Sequence, residues 1–184
     1  GVWGLDQVYN KINQGSIWEY SGVKQLWSWG NNQNGKLGQN NLTQYSSPVQ
    51  ITGGGIWDGV LSLGSEHTIA TKSDGTAWTW GRNDNYGNLG LNNRTDYSSP
   101  VQLPGTTWKR VCTGGFGNLA VKTDGTMWSW GSNAYGVLGL NQTGSNYVDF
   151  AAGQKYSSPT QIPGTTWDKI PQSSAYGRYA IKTD

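Results

Sequence analysis

The chain has 184 residues, 13 % of them charged, and a formal net charge of +2. That length suits one domain or part of a larger one, and the near-balanced charge argues against the basic stripe that nucleic-acid binding needs. One cysteine excludes an internal disulfide and a cysteine-based zinc site, and no apolar run reaches the ~18 residues of a membrane-spanning helix. Twenty-eight Gly, 11 Trp and 10 Tyr stand against two Phe and one Met, which describes a turn-dense all-β fold whose core is carried by indoles.

Residues 1–16 read as a separate linker or helical segment. Leu5, Val8, Tyr9 and Ile12 fall at helical spacing, with Asp6 near the front and Gly15 at the stop. From Ile17 onward the chain repeats. Trp27-Ser28-Trp29-Gly30 returns as Trp78-Thr79-Trp80-Gly81 and as Trp128-Ser129-Trp130-Gly131, at offsets of 51 and 50 residues. A period of this size marks one supersecondary unit used again. Trp-x-Trp sends both indoles to the same face of an extended strand. All six of these tryptophans are therefore expected to be mostly buried between units.

The second copy shows the unit most clearly. Trp57 to Leu63 reads as a strand, His67 to Lys72 as another, and Asp74-Gly75 as a tight hairpin turn. Ala77 to Trp80 reads as the third strand, and Val101 to Leu103, after Tyr97-Ser98-Ser99-Pro100, as a short fourth. Trp108, Asp124-Gly125, Leu138-Gly139, Tyr156-Ser157-Ser158-Pro159 and Trp167 repeat the order. Four short antiparallel strands in about 50 residues suit a propeller blade, whose two apolar faces are buried only by stacking on neighbours.

One unit is longer than the others. The loop from the Leu-Gly step to the next Tyr takes 8 residues from Leu37 to Tyr45 and from Leu89 to Tyr97, but 18 from Leu138 to Tyr156. An insertion confined to one repeat maps to a surface loop, often on the binding face. Tyr147, Val148, Asp149, Phe150 and Lys155 are its candidate contact residues. The chain stops at Thr183-Asp184, where Asp74-Gly75 and Asp124-Gly125 place Gly next, so a longer chain or a neighbouring subunit is expected to cover the open blade faces.

The units resemble the regulator of chromosome condensation repeat. The resemblance rests on the aromatic-x-Trp-Gly strand, the Asn-rich loop ending Gly-x-Leu-Gly (Asn133 to Gly139), the Ser-Pro step, and Gly64-Ser65-Glu66-His67-Thr68. It covers roughly residues 17–184 and implies a partial β-propeller of three to four out of seven blades. Gly117 and Gly177 align with His67. The phrases Tyr-Ser-Ser-Pro-Val-Gln and Pro-Gly-Thr-Thr-Trp look most like propellers of marine bacteriophage structural proteins. That likeness implies a virion location, with other virion proteins or a host-surface receptor as partners. The alternative is a protein-binding propeller, a scaffold or inhibitor unrelated to a virion.

No catalytic, metal or cofactor constellation stands out. The chain has one His and 11 carboxylates, and Asp74, Asp84, Asp96, Asp124 and Asp184 lie in or beside turns, where local backbone bonding explains them. His67 falls on a strand and reads as an inter-strand residue. Cys112, in Val111-Cys112-Thr113, reads as a small buried hydrophobe. Lys109-Arg110 reads as a solvated strand end. Asn83-Asp84-Asn85 lacks the acidic pattern and terminal Glu of a calcium loop. Asn41, Asn93 and Asn141 open Asn-x-Thr triplets that recur because the loop recurs.

Overall fold

The structure is a computed structural model that describes residues 24–52, 56–57, 59–83, 85–115, 117–142, 154–171 and 177–183. The expected helix within 1–16 lies outside them, as do Tyr147, Val148, Asp149 and Phe150.

The described residues form twelve strands and two single 3-10 turns. Strands β1 (Trp27–Gly30) and β2 (Tyr45–Gln50) pair as a half-blade. Strands β3 (Leu61–Leu63), β4 (His67–Thr71), β5 (Ala77–Gly81) and β6 (Tyr97–Gln102) form one complete antiparallel blade in sequential order. Strands β7 (Trp108–Thr113), β8 (Gly117–Lys122), β9 (Met127–Ser132) and β10 (Lys155–Ile162) form the next. Strands β11 (Trp167–Lys169) and β12 (Ile181–Lys182) open a fourth. The all-β, four-stranded-blade reading holds.

Two elements differ from the sequence reading. The first strand of the second unit is shorter, with β3 starting at Leu61 rather than Trp57, whereas β7 and β11 start at Trp108 and Trp167. The last is longer, since Ser98-Ser99-Pro100 lies inside β6. Pairing passes from Gly81↔Tyr97 to Thr79↔Val101, so the extra residues bulge out. Proline is tolerated there because β6 is the edge strand of its blade.

The core sits between blades. Ile69, Ala77 and Leu103 of one blade pack with Trp108, Val111, Ala120 and Trp130 of the next. Cys112, Leu119, Val121, Met127 and Ile162 meet Ile170 in the same way one unit later. The tryptophans are not equivalent, contrary to expectation. Trp80 is 1 % exposed and Trp130 0 %, but Trp27 is 47 % and Trp29 59 % exposed. Trp78 and Trp128 are half-buried. The reason is positional. The second indole of a pair is buried by the Gly-x-Leu-Gly loop of the unit before it, and no such phrase stands in the sequence ahead of Trp29.

Candidate binding face

Because the strands alternate in direction, each blade sends its long loop and its β3–β4-type loop to one end of the fold. The other end carries the tight Asp-Gly turns.

The turn end is occupied by structure. Asp74 Oδ1 accepts from Thr76 N at 2.9 Å and from Thr76 Oγ1 at 2.6 Å, and Asp124 holds Thr126 in the same way at 2.9 and 2.7 Å. These bonds hold both carboxyls below their ordinary pKa and leave them the local backbone role that turn aspartates are expected to have. Trp108 N donates to Gly75 O of the preceding blade, and Trp167 N to Gly125 O, at 2.9 and 3.0 Å. Just inside, Lys72 Nζ lies 4.5 Å from the Trp57 ring centroid and 4.0 Å from that of Trp78. Lys122 lies 4.7 Å from both Trp108 and Trp128. Desolvation lowers the Lys72 pKa, partly opposed by Asp74. This cation–indole stack was missed in the sequence. Its signal was available: a lysine two residues before each Asp-Gly turn, at Lys72 and Lys122.

The loop end is built on a buried asparagine in each unit. Asn32, Asn83 and Asn133 are all fully buried. Each accepts from the Leu N of its own Leu-Gly step and donates Nδ2 to a carbonyl further on: Asn32 to Asn41, Asn83 to Asn93, Asn133 to Gln142. The Asn41 and Asn93 side chains are themselves bonded within their loops, to Tyr45 and Tyr97 hydroxyls among others. That is a structural use for two of the three Asn-x-Thr triplets.

These loops also latch one blade to the next. Trp80 Nε1 and Thr68 Oγ1 donate to Lys36 O of the preceding unit at 2.9 and 3.1 Å. Trp130 Nε1 and Asn118 Nδ2 donate to Asn88 O at 2.9 and 2.8 Å. Gly90 stands where a Cβ would come within 2.9 Å of the Trp130 indole nitrogen at φ +71°, so the close approach needs glycine.

His67 belongs to this latch. It is buried, and its Nε2 lies 2.8 Å from Asn118 Oδ1 in the next blade. Since Asn118 Nδ2 already donates to Asn88 O, Oδ1 is the acceptor and His67 Nε2 carries the proton. Burial, opposed by the Asn118 bond, lowers the His67 pKa and keeps the ring neutral. Arg178, one unit on, donates Nη2 to Gly117 O at 2.6 Å and lies beside the buried Cys112 thiol. Burial raises the Cys112 pKa despite that arginine. Lys109 is not merely solvated: its Nζ pairs with Asp168 Oδ1 of the following unit at 2.9 Å. Among the described residues no group of three or more His, Cys, Asp or Glu is placed to hold a metal ion.

The residues that flank the insertion, Gln142 and Gln154, are tied together at this loop end. Asn133 Nδ2 binds Gln142 O at 2.9 Å while its backbone N binds Gln154 O at 3.0 Å. The Tyr156 hydroxyl spans the same two residues, 2.6 Å from Gln142 Oε1 and 3.3 Å from Gln154 Oε1. Lys155, the described member of the candidate set, starts β10 with its Nζ 5.4 Å from the Tyr86 ring of the preceding blade's loop.

Three consecutive stretches, residues 25–71, 74–121 and 124–177, match the Regulator of chromosome condensation (RCC1) repeat. The chain belongs to this repeat family. The ultraviolet-B receptor UVR8 of Arabidopsis thaliana is 40 % identical over 87 residues, covering 46 % of the chain and 19 % of the receptor. The RCC2 homolog of Danio rerio is 36 % identical over 125 residues, covering 65 % of the chain and 25 % of that protein. The crystal structure of Prp20p from Saccharomyces cerevisiae superposes with a TM-score of 0.67 at 20 % identity, over 87 % of the chain and 40 % of Prp20p. The chain thus spans a fifth to a quarter of these curated relatives, and the partial RCC1-type propeller is its fold. The virion location implied by the phage-like phrases is overturned: the matched relatives are cellular proteins of plants, animals and yeast. Tyr-Ser-Ser-Pro recurs in three units as an edge-strand bulge, and Pro-Gly-Thr-Thr-Trp in two as an inter-blade dock, so they report blade architecture rather than source.

Proposed function

We propose that this chain is the protein-binding part of a regulatory or scaffolding propeller, acting without catalysis, through the loop end of its blades. One observation carries the reading. The single unit with ten extra loop residues holds them on a stem closed by Asn133 and Tyr156. Tyr147, Val148, Asp149, Phe150 and Lys155 then form the contact set, with aromatic anchors of the kind that dominate protein interfaces. Relatives lend support in kind: the Prp20p structure is described together with its binding to Gsp1p and histones, and another holds yeast RCC1 (Prp20) bound to Kap60.

The test is to shorten the insertion to the length found in the other units and to place a photo-crosslinker at Tyr147 in the parent chain. A defined protein partner should link to the parent and be lost from the shortened chain, with the melting temperature unchanged. Partners retained by the shortened chain would refute the reading.

A further inference from the structure

Asn34-Gly35 occurs once in the chain, in the loop that seats the first unit on the blade β3–β6. Asparagine before glycine is the dipeptide at which a backbone nitrogen most readily attacks a side-chain amide, because glycine has no side chain to obstruct the approach. The matching loops of the next two units carry Tyr86-Gly87 and Tyr135-Gly136, which have no amide to attack.

The docked loop withholds this chemistry. Asn34 is half-buried and lies in the 3-10 turn Gln33–Gly35 at φ 66° and ψ 13°. At that ψ the Gly35 nitrogen is turned away from the Asn34 side chain, and closing a ring onto Cγ needs a large rotation of the peptide plane between them. The surroundings oppose that rotation. Gly35 N donates to Asn32 O, and Gly38 N to Gly35 O, both at 3.0 Å. Gly35 is buried against β6, where an added Cβ would stand 2.5 Å from Ser98 Cα. Asn40 N donates to Ser98 O at 2.7 Å. Lys36, the residue after Gly35, gives its carbonyl to Trp80 Nε1 and Thr68 Oγ1. The peptide plane therefore turns only when the loop leaves β6.

We propose that Asn34 is a deamidation site whose reactivity is set by the docking of this loop on the next blade, and that the product holds the seam open. In the undocked loop Gly35 N bonds to Asn34 Cγ and the Cγ–Nδ2 bond breaks. The amide nitrogen leaves as ammonia, carrying the Gly35 proton, and a cyclic imide remains. Water then opens the imide at one of its two carbonyls, giving aspartate or isoaspartate. Isoaspartate routes the main chain through Cβ and adds one backbone carbon to the turn. That turn is closed by Asn32, whose Oδ1 accepts from Leu37 N at 2.9 Å and whose carbonyl accepts from Gly35 N. A longer path between Asn32 and Leu37 cannot keep both bonds and still present Lys36 O to Trp80. The rate follows the fraction of time the loop spends undocked, and redocking does not reverse the step.

The test follows Asn34 in the 184-residue chain by peptide mass spectrometry during incubation in warm, mildly alkaline buffer. The folded chain should deamidate at least about tenfold more slowly than a synthetic peptide of residues 31–38, since only the undocked fraction reacts. Thr68→Val and Trp80→Phe each remove one donor to Lys36 O, and each should speed the reaction roughly tenfold. The isoaspartate-containing chain should lose hydrogen-exchange protection at the Gly35, Leu37 and Asn40 amides, with β8 and β9 unchanged. A folded chain that reacts as fast as the peptide overturns the proposal, as does an unchanged rate in both variants. It also falls if the isoaspartate-containing chain keeps its protection at those three amides.

Discussion

Trp130 Nε1 of one blade and Asn88 O of the blade before it stand 2.9 Å apart, and the same bond recurs between Trp80 and Lys36. A large apolar ring and a main-chain acceptor are thus satisfied by one contact, which fixes blade spacing as well as burial. Replacing Trp130 by Ala should cost about 3–5 kcal/mol through lost area and cavity. Trp130→Phe keeps most of the ring but deletes the donor, and should cost about 1–3 kcal/mol. Urea denaturation of the two variants separates packing from the bond; equal losses would contradict the latch.

The histidine gives a pH signature. Burial sets the folded pKa of His67 below its ordinary 6.5, so the unfolded chain takes up the proton first. Its contribution is complete above pH 6.5 and is lost as pH falls below that value, by up to about 1.4 kcal/mol per pH unit. The chain has one histidine, so His67→Gln should flatten the stability profile between pH 7.5 and 5. An unchanged slope in that variant would assign the effect to carboxylates.

Lys122 between two indoles should contribute through cation–π attraction. Lys122→Met preserves stem length and removes charge, and should lower stability by about 0.5–2 kcal/mol. Thermal melting of parent and variant reads it directly, and a stabilised variant would show that desolvation outweighs the ring contacts.

Gly81 closes its Trp-x-Trp strand at φ +105°, and an added Cβ would meet the Glu66 carbonyl and lie 2.8 Å from His67 Cα. Gly81→Ala should therefore lose about 2–4 kcal/mol from combined strain and overpacking. Chemical denaturation measures it, and a loss under about 1 kcal/mol would mean the backbone relaxes.

Much of this fold could be read from residue order. The 50-residue return of Trp-x-Trp-Gly, with Asp-Gly turns between, placed β4, β5, β8 and β9 within a residue or two. Burial of individual indoles could not be read, because Trp29 and Trp130 sit in identical phrases and differ only in what stacks against them. The Ser-Ser-Pro step looked like a break before a strand, since proline's missing donor matters only if the strand has a neighbour on that side, and β6 does not. The role of His67 was legible as inter-strand, but its acceptor, Asn118, sits 51 residues away and has no local signal. Phrases repeated for architectural reasons pointed to a virion and misled. The candidate contact residues were found from length alone, and only Lys155 falls among those described.

The closed stem beneath the insertion bears on how such a chain can change. Asn133 and Tyr156 both bind Gln142 and Gln154, so the backbone enters and leaves the loop through a fixed gate. What lies beyond the gate does not alter the spacing of the blade that carries it. Selection, or a designer with a randomised library, can therefore exchange the whole segment without renegotiating the fold, and new specificities are reachable here by transplantation rather than by stepwise repair.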